Sequence, residues 1–199
     1  MRKIFLVAAM AVSAMAVNAQ ATFGVKAGAN FSSIKYSGDG EDDNTDTKVG
    51  LNIGGLANIP VSSMFSFQPE LVFSMEGGED EQDGEDYKLK MNYINVPLLL
   101  QYNASGFIAE TGPQVGFLMS ADAEMGDLEI DVKDQMETVN LSWAIGLGYK
   151  MTSGFGVNAR YNLGLSNIAK ESEGDFKTKL NTIQVGVFYT FGGGASARK

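Results

Sequence analysis

The sequence contains no cysteine and no histidine among its 199 residues. Without cysteine the chain can form neither a disulfide bond nor a thiolate metal site. Without histidine it lacks the commonest general base, the commonest metal ligand and every catalytic triad that needs an imidazole. The sequence also shows no cluster of other nucleophiles. We therefore expect a protein that is not an enzyme and that has neither a cofactor nor a metal site.

Long apolar runs are scarce as well. Beyond the N-terminus no run reaches the roughly 18 residues that a membrane-spanning helix needs. The N-terminus itself has Arg2 and Lys3, then an apolar stretch of about 14 residues, and ends Val17-Asn18-Ala19. This pattern predicts a secretory signal peptide over residues 1–19, because the stretch is short for an N-terminal membrane anchor. No cysteine follows the cleavage site, so lipid attachment there is excluded.

Basic residues are outnumbered, with 15 Lys and Arg against 24 Asp and Glu, for a net charge of −9. Removal of Arg2 and Lys3 with the signal peptide leaves 13 basic residues and a net charge of −11. This charge disfavours nucleic acid as a partner, since the phosphate backbone would be repelled. Proline is rare at 4 residues, whereas glycine reaches 24 and aromatic residues 10%. This composition suits one twisted all-β domain.

Side chains alternate strictly through the stretch from Lys88 to Ser120. One face carries Ile94, Val96, Leu98, Leu100 and Tyr102, then Ala109, Thr111, Pro113, Val115, Phe117 and Met119. The other carries Tyr93, Asn95, Pro97, Leu99 and Gln101, then Glu110, Gly112, Gln114 and Gly116. A tight polar link, Asn103-Ala104-Ser105, separates the two runs, so the pattern predicts a hairpin. Each run matches the about 9–11 residues of a transmembrane β-strand, with an apolar face and a polar face.

Six further segments alternate in the same way. They are Thr22–Ser33, Thr47–Ile59, Met64–Met75, Thr138–Met151, Gly154–Ser166 and Lys179–Phe191. Long connections (34–46, 76–87, 121–137 and 167–178) alternate strictly with the short ones (60–63, 103–105 and 152–153). The pattern predicts an all-β fold, an eight-stranded antiparallel up-and-down transmembrane β-barrel over residues 20–191, with a C-terminal tail over 192–199. The long loops would face outwards and the short turns the periplasm, placing the barrel in the cell outer membrane.

Aromatic side chains recur near the short-turn ends of the predicted strands. They are Phe65, Tyr102, Phe155, Tyr189 and Phe191. We expect them to form a girdle at the inner membrane-water boundary of the barrel.

Four charged side chains are predicted to face the barrel interior at a similar depth: Lys26, Glu70, Glu110 and Arg160. Buried charges are tolerated only when they are paired, so we expect an ion-pair and hydrogen-bond cluster. Asn95, Gln114, Asn158 and Asn162 would surround it. The favoured interpretation is a polar plug. The alternatives are a gated ion or proton path and, less favoured because substrate could not reach it, a catalytic carboxylate pair of Glu70 and Glu110.

Two predicted external loops are rich in carboxylates. They contain Asp39, Glu41, Asp42, Asp43 and Asp46, then Glu76, Glu79, Asp80, Glu81, Asp83, Glu85 and Asp86. An EF-hand read from Glu79 would place Gly84 correctly but puts Lys90 at the position that needs glutamate, so that motif fails. We expect solvated acidic loops, with weak divalent-cation binding as the alternative.

Three prolines, Pro69, Pro97 and Pro113, fall inside predicted strands. Proline cannot donate to a β-ladder and is usually found at edges or bulges. These prolines argue against central strands of an ordinary sheet, although β-bulges could accommodate them.

Four segments resemble the PorT-type, or outer-membrane β-barrel domain, family of Bacteroidetes. They are YINVPLLLQY (93–102), ETGPQVGFLMS (110–120), ARYNLGLSNI (159–168) and VGVFYTF (185–191). The resemblance covers essentially the whole mature chain and implies a small outer-membrane barrel. Some members of this family serve protein secretion across the outer membrane. Such barrels commonly end on the terminal aromatic, whereas here residues 192–199 follow Phe191.

The favoured function is an integral outer-membrane barrel with a structural or interaction role through its acidic external loops, linked to secretion if the resemblance extends that far. The alternatives are a narrow channel for small solutes or ions and a soluble ligand-binding barrel. A soluble barrel should have a polar outer face, yet this face carries Phe73, Leu98, Trp143 and Leu147. The expected partners are outer-membrane lipids, the barrel-insertion machinery and proteins at the loops, with no nucleic acid and a monomeric state.

Overall fold

The computed structural model describes residues 21–38, 41–82, 85–126, 128–170 and 177–191. The predicted signal peptide and the predicted C-terminal tail lie outside these residues. Within them, no helix has both the length and the apolar character required to cross a membrane.

The described chain is almost entirely β-structure. Its ten strands are β1 (Thr22–Gly38), β2 (Glu41–Asn44), β3 (Lys48–Pro60), β4 (Phe65–Gln82), β5 (Glu85–Ala104), β6 (Phe107–Met125), β7 (Leu128–Asp131), β8 (Val139–Lys150), β9 (Phe155–Gly164) and β10 (Lys177–Thr190). One turn of 3-10 helix, Lys133–Gln135, follows β7.

Eight of these strands close into a ring. The order is β1-β3-β4-β5-β6-β8-β9-β10, every neighbouring pair is antiparallel, and β10 pairs back with β1. Strand β2 pairs with β1 and β7 pairs with β6, both outside the ring. The structure confirms the predicted eight-stranded up-and-down barrel, in which closure leaves no unpaired strand edge.

The strands are strongly tilted. We start at Thr22 of β1 and move from each residue to its register partner on the next strand. After one circuit of the barrel this path arrives at Ser32 of β1, so the barrel has a shear of 32 − 22 = 10 residues. For eight strands about 4.8 Å apart and a rise of about 3.3 Å per residue, this shear gives a tilt of about 40°. Each residue then advances about 2.5 Å along the barrel axis.

The barrel accommodates the three strand prolines without β-bulges. Pro69, Pro97 and Pro113 each pair in the same register as the residues around them. The register shift within the β5–β6 pair lies elsewhere, between Asn92 and Tyr93. Proline removes one ladder donor without adding a residue, so it weakens the ladder locally and leaves the register unchanged.

The turn between β5 and β6 is shorter than predicted. Asn103 and Ala104 belong to β5, and the turn consists of Ser105 and Gly106. Both residues have positive φ, 49° and 92°. This is the backbone of a type I′ hairpin turn, whose twist matches that of the flanking strands.

Three of the predicted long loops are largely β-ribbons. Strand β1 runs on to Gly38 and pairs with β2, β4 and β5 stay paired to Gln82 and Glu85, and β6 continues to pair with β7. These segments are rich in acidic residues, which is why the sequence indicated loops rather than strands.

The outer face of the barrel is an apolar belt. Outward residues run from Phe107 to Met119 on β6, both more than half exposed, which spans about 30 Å at about 2.5 Å per residue. At the short-turn end, aromatic rings meet in pairs with centroids 5.1–5.5 Å apart: Phe65–Tyr102, Phe107–Tyr149 and Tyr189–Phe191. Ala57 and Ile59, predicted on the same outer face, are buried.

Candidate functional site in the barrel interior

The inward side chains fill the lumen in three layers, and the first is ionic. It joins Lys26 of β1, Glu70 of β4, Glu110 of β6 and Arg160 of β9, all of them buried. Lys26 Nζ lies 2.9 Å from Glu70 Oε2. Arg160 donates from Nη1 and Nη2 to the two Glu70 oxygens, both at 2.9 Å, and from Nε to Glu110 Oε1 at 2.8 Å. The structure therefore brings together all four charged residues of the predicted interior cluster.

The ionic layer is balanced in charge and in hydrogen bonds. Two cations face two carboxylates, and two glutamines supply further donors. Gln68 Nε2 donates to Glu70 Oε1 at 2.9 Å, and Gln101 Nε2 donates to Glu110 Oε2 at 2.8 Å. Buried ion pairs offset their desolvation cost only with such geometry, in which the remaining lone pairs are also satisfied.

The amides predicted around this cluster have other roles. Asn95 donates to Glu76 at 2.8 Å rather than to a member of the ionic layer. Gln114 Oε1, Asn158 Oδ1 and both polar atoms of the Asn162 side chain are buried without a hydrogen-bond partner. The glutamines that do complete the cluster, Gln68 and Gln101, lie on the same inward faces as Glu70 and Glu110, and alternation alone could have identified them.

Very little space remains beside the ionic layer. The cavity that Lys26, Glu70, Glu110 and Arg160 help to line measures about 10 Å³. This volume is close to the minimum that holds one water molecule. In the described structure the two carboxylates are bridged by Arg160, and no substrate could reach them.

The second layer is a ring of amides and hydroxyls, with one residue from each barrel strand. In ring order they are Asn30, Asn52, Ser74, Asn95, Gln114, Ser142, Asn162 and Thr182, all of them buried. On one side of the ring Asn52 Nδ2 donates to Asn30 Oδ1 at 2.7 Å, and Asn30 Nδ2 donates to Ser74 Oγ at 2.8 Å. A connected polar network of this kind fixes the strand register from inside the barrel.

Glu76 joins this layer, although it was assigned to an acidic loop in the sequence. It lies in β4 with 3% of its surface exposed. Its carboxylate accepts hydrogen bonds from Ser74 Oγ at 2.7 Å, Asn95 Nδ2 at 2.8 Å and Thr182 Oγ1 at 3.2 Å. Continuing the alternation of Glu70 and Ser74 by one more step would have placed Glu76 inside the barrel.

The third layer is an apolar plug at the long-loop end, which the sequence did not predict. It consists of Ile34, Met91, Tyr93, Leu118, Ala121, Met136, Ile168 and Leu180. Six of these residues are on barrel strands, whereas Met136 and Ile168 come from the connections after β7 and β9. A β-bridge between Met136 and Ala169 and a 2.8 Å hydrogen bond from Glu137 N to Ile168 O hold the two connections across the mouth. The barrel is thus capped by its own loops.

Beyond the plug the ribbons are acidic. Lys90 and Glu124 form an ion pair across β5 and β6, and the hydrogen bond from this pair raises the pKa of Lys90. Leu128 and Ile130 of β7 are more than half exposed. Within the described ranges no group of three or more acidic, histidine or cysteine side chains is arranged to hold a metal ion.

The barrel is similar to solved outer-membrane proteins. Neisserial surface protein A, from Neisseria, superposes with a TM-score of 0.55 at 15% identity, over 86% of this chain and 99% of that one. Ail, the attachment invasion locus protein of Yersinia pestis, gives 0.46 at 15% identity, over 85% and 98% of the two chains. OprG from Pseudomonas aeruginosa gives 0.44 at 16% identity, over 85% and 95%. At 15% identity the first likeness shows a common fold and nothing about activity.

The sequence also matches a family model. No curated protein matches the chain significantly. The model for the outer membrane protein beta-barrel domain matches residues 16–170, more than three quarters of the 199 residues. This match agrees with the closed ring, the apolar belt and the polar interior. The chain therefore belongs to the outer membrane protein beta-barrel domain family, and it is a barrel of the outer membrane.

Proposed function

We propose that the protein is a non-enzymatic outer-membrane barrel with a closed lumen, which presents acidic β-ribbons at the cell surface for interaction with other molecules. The observation that carries this proposal is the combination of a filled interior with strands that continue past the apolar belt. Beyond the belt β5 pairs with both β4 and β6, and β6 pairs with β7, so these strands are more stable in water than an isolated hairpin and offer a surface for recognition.

The filled interior argues against the channel alternative. An ion would have to cross the ionic layer, the amide ring and the apolar plug in turn. The ionic layer leaves about 10 Å³, and the plug is a cluster of buried apolar side chains. Eight-stranded barrels have interiors that side chains can just fill, and in this barrel inward side chains occupy the lumen in three layers. The soluble alternative does not fit the exposed apolar belt or the outer-membrane family.

The ribbons supply the interaction surface. The β4–β5 ribbon remains paired for seven residues beyond Met75, about 23 Å at about 3.3 Å per residue. The paired strands carry carboxylates such as Glu79, Asp80, Asp122 and Glu124. Such a charge distribution favours a partner with a basic surface and accelerates its encounter at low ionic strength.

The remaining partners follow from the same surfaces. The continuous belt fits outer-membrane lipids and a monomer, and insertion would require the barrel-insertion machinery. A secretion role is supported by the resemblance of four segments to the PorT-type family. One of these segments, YINVPLLLQY, supplies Asn95 and Gln101 to the lumen. In this proposal the protein partner at the ribbons would be a component of a secretion system.

Labelling of single cysteines tests which surface is displayed, because the chain has none of its own. Leu128 in β7 and Val61 in the turn after β3 are 65% and 68% exposed. A membrane-impermeant maleimide should label Leu128→Cys on intact cells and Val61→Cys only after the outer membrane is permeabilised. Labelling of Val61→Cys alone on intact cells would reverse the orientation and refute surface display of the ribbons.

A further inference from the structure

We infer that the lumen holds a small monovalent cation such as Na⁺, with Glu76 as its charged ligand and the side-chain oxygens of Gln114, Ser142 and Asn162 as neutral ligands. This site lies in the amide ring, between the ionic layer and the apolar plug. It is independent of the proposed function, since a closed barrel could exist with or without it.

The charges of the lumen leave Glu76 without a counter-ion. Of the buried cations on the described strands, Lys26 and Arg160 are matched by Glu70 and Glu110, and Lys48 of β3 forms no ion pair with Glu76. Among the described residues Glu76 makes no ion pair, and its three hydrogen-bond partners are neutral. An uncompensated buried carboxylate is costly unless a positive charge or a proton accompanies it.

The hydrogen bonds around Glu76 are arranged for the ionised form. Ser74 Oγ accepts a hydrogen bond from Asn30, so its own proton is directed to Glu76 Oε1. The Asn95 amide donates to the same oxygen, and Thr182 donates to the other. Three donors converging on one carboxylate stabilise a negative charge on it.

The opposite wall of the lumen supplies oxygens that lack donors. Gln114 Oε1, Ser142 Oγ and Asn162 Oδ1 are buried without a partner, on side chains that are at most 4% exposed. In the strand register Asn162 lies directly beside Thr182, and Ser142 beside Gln114. Each such oxygen costs about 1–3 kcal/mol if it stays unsatisfied.

The position of these oxygens relative to Glu76 follows from shared neighbours. Thr182, the register partner of Asn162, bonds Glu76 Oε2 at 3.2 Å. Asn95, which bonds Glu76 Oε1, pairs with Gly116, two residues along β6 from Gln114. The carboxylate and the unsatisfied oxygens therefore face the same part of the lumen.

The ligand class follows from the donor set. One carboxylate and three neutral oxygens suit a monovalent hard cation, whereas Ca²⁺ and Mg²⁺ sites usually recruit more carboxylates or phosphates. A proton on Glu76 could satisfy only one of the unpartnered oxygens. A hydrated cation satisfies them together, and its water can accept a hydrogen bond from the unpartnered Asn162 Nδ2.

Salt-specific stability provides the test. Wild type, Glu76→Gln and Glu110→Gln would each be refolded and then unfolded with urea. Each unfolding curve would be measured once in NaCl and once in choline chloride at equal ionic strength. Wild type should be more stable in sodium, with a folding constant that rises about 11-fold at a sodium concentration ten times the dissociation constant. Glu76→Gln should lose this dependence. Glu110→Gln alters a carboxylate that is already paired. This variant should be less stable than wild type and should keep the dependence of its stability on sodium.

Two results would overturn the inference. The first is equal stability of wild type in sodium and choline. The second is a sodium effect of equal size in Glu76→Gln, which would locate the ion elsewhere. Should Glu76→Gln fail to fold, anomalous scattering from rubidium-soaked wild-type crystals decides. A peak beside the Glu76 carboxylate supports the site, and its absence at saturating rubidium rejects it.

Discussion

Arg160→Ala is the substitution that examines the ionic layer most directly. The guanidinium bonds Glu70 through two nitrogens and Glu110 through a third, with all three residues buried. Its removal leaves Lys26 as the single cation facing two buried carboxylates. Breaking a buried ion pair by deleting one partner typically costs about 3–5 kcal/mol. Since about 1.4 kcal/mol is a factor of ten, the unfolding equilibrium should shift by about two to three and a half orders of magnitude.

The assay is urea unfolding of the lipid-reconstituted barrel, read by the mobility difference between boiled and unboiled samples. Lys170→Ala is the control, because it removes an exposed positive charge and should change stability by about 0.5 kcal/mol or less. Adding Glu110→Gln to Arg160→Ala should recover part of the loss, since one carboxylate no longer needs a cation. An unfolding midpoint for Arg160→Ala equal to that of wild type would refute the structural role of the cluster.

Three further substitutions examine other parts of the fold. Ile145→Arg, in the middle of the apolar belt, should lower the free energy of unfolding in a bilayer by about 2–4 kcal/mol. Its control is Leu128→Arg on the external ribbon, which should have almost no effect, although both side chains are more than half exposed. Thr111→Val removes the acceptor of the 2.9 Å hydrogen bond from Trp143 Nε1 on the lipid face and should cost about 1–3 kcal/mol by urea unfolding. Gly106→Ala places a side chain at φ 92° in the β5–β6 turn and should destabilise by more than about 1 kcal/mol.

Each of the three has an outcome that would contradict it. Equal losses for Ile145→Arg and Leu128→Arg would mean that lipid does not cover the belt. Thr111→Val should be compared with Thr111→Ser, which keeps the acceptor, and equal losses for the two would rule out the hydrogen bond as the cause. Unaltered folding of Gly106→Ala would show that the turn does not require a positive φ.

The barrel could be predicted from the sequence because the alternation holds over most of each strand. Every strand is apolar on its lipid-facing side and carries polar groups on its inner side. The position of Arg160 or Glu110 in the alternation is therefore enough to place its side chain in the barrel interior. The depth of each residue followed from its distance to the nearest short turn. These two rules were sufficient to bring Lys26 and Glu70 to the same level from strands that are far apart in the sequence.

The parts that were missed lie largely in segments that were interpreted as loops. The apolar plug depends on Met136 and Ile168, which lie in connections that fold inwards over the end of the barrel. Alternation cannot predict their positions, because loop residues do not alternate between two faces. Glu76 was assigned to the loop because acidic residues follow it, although its partners Ser74 and Thr182 are inside the barrel. The outer ribbons were missed because the acidic residues in these segments indicated loops.

The closed lumen is the central claim, and electrical recording from planar lipid bilayers tests it most directly. Insertion would be verified by the mobility shift on boiling, and a known porin would serve as the positive control. The account predicts no steady conductance from the folded barrel, because the ionic layer and the apolar plug block the path. Reproducible single-channel steps from wild type would contradict it, and would favour a narrow channel over a closed barrel that displays its ribbons.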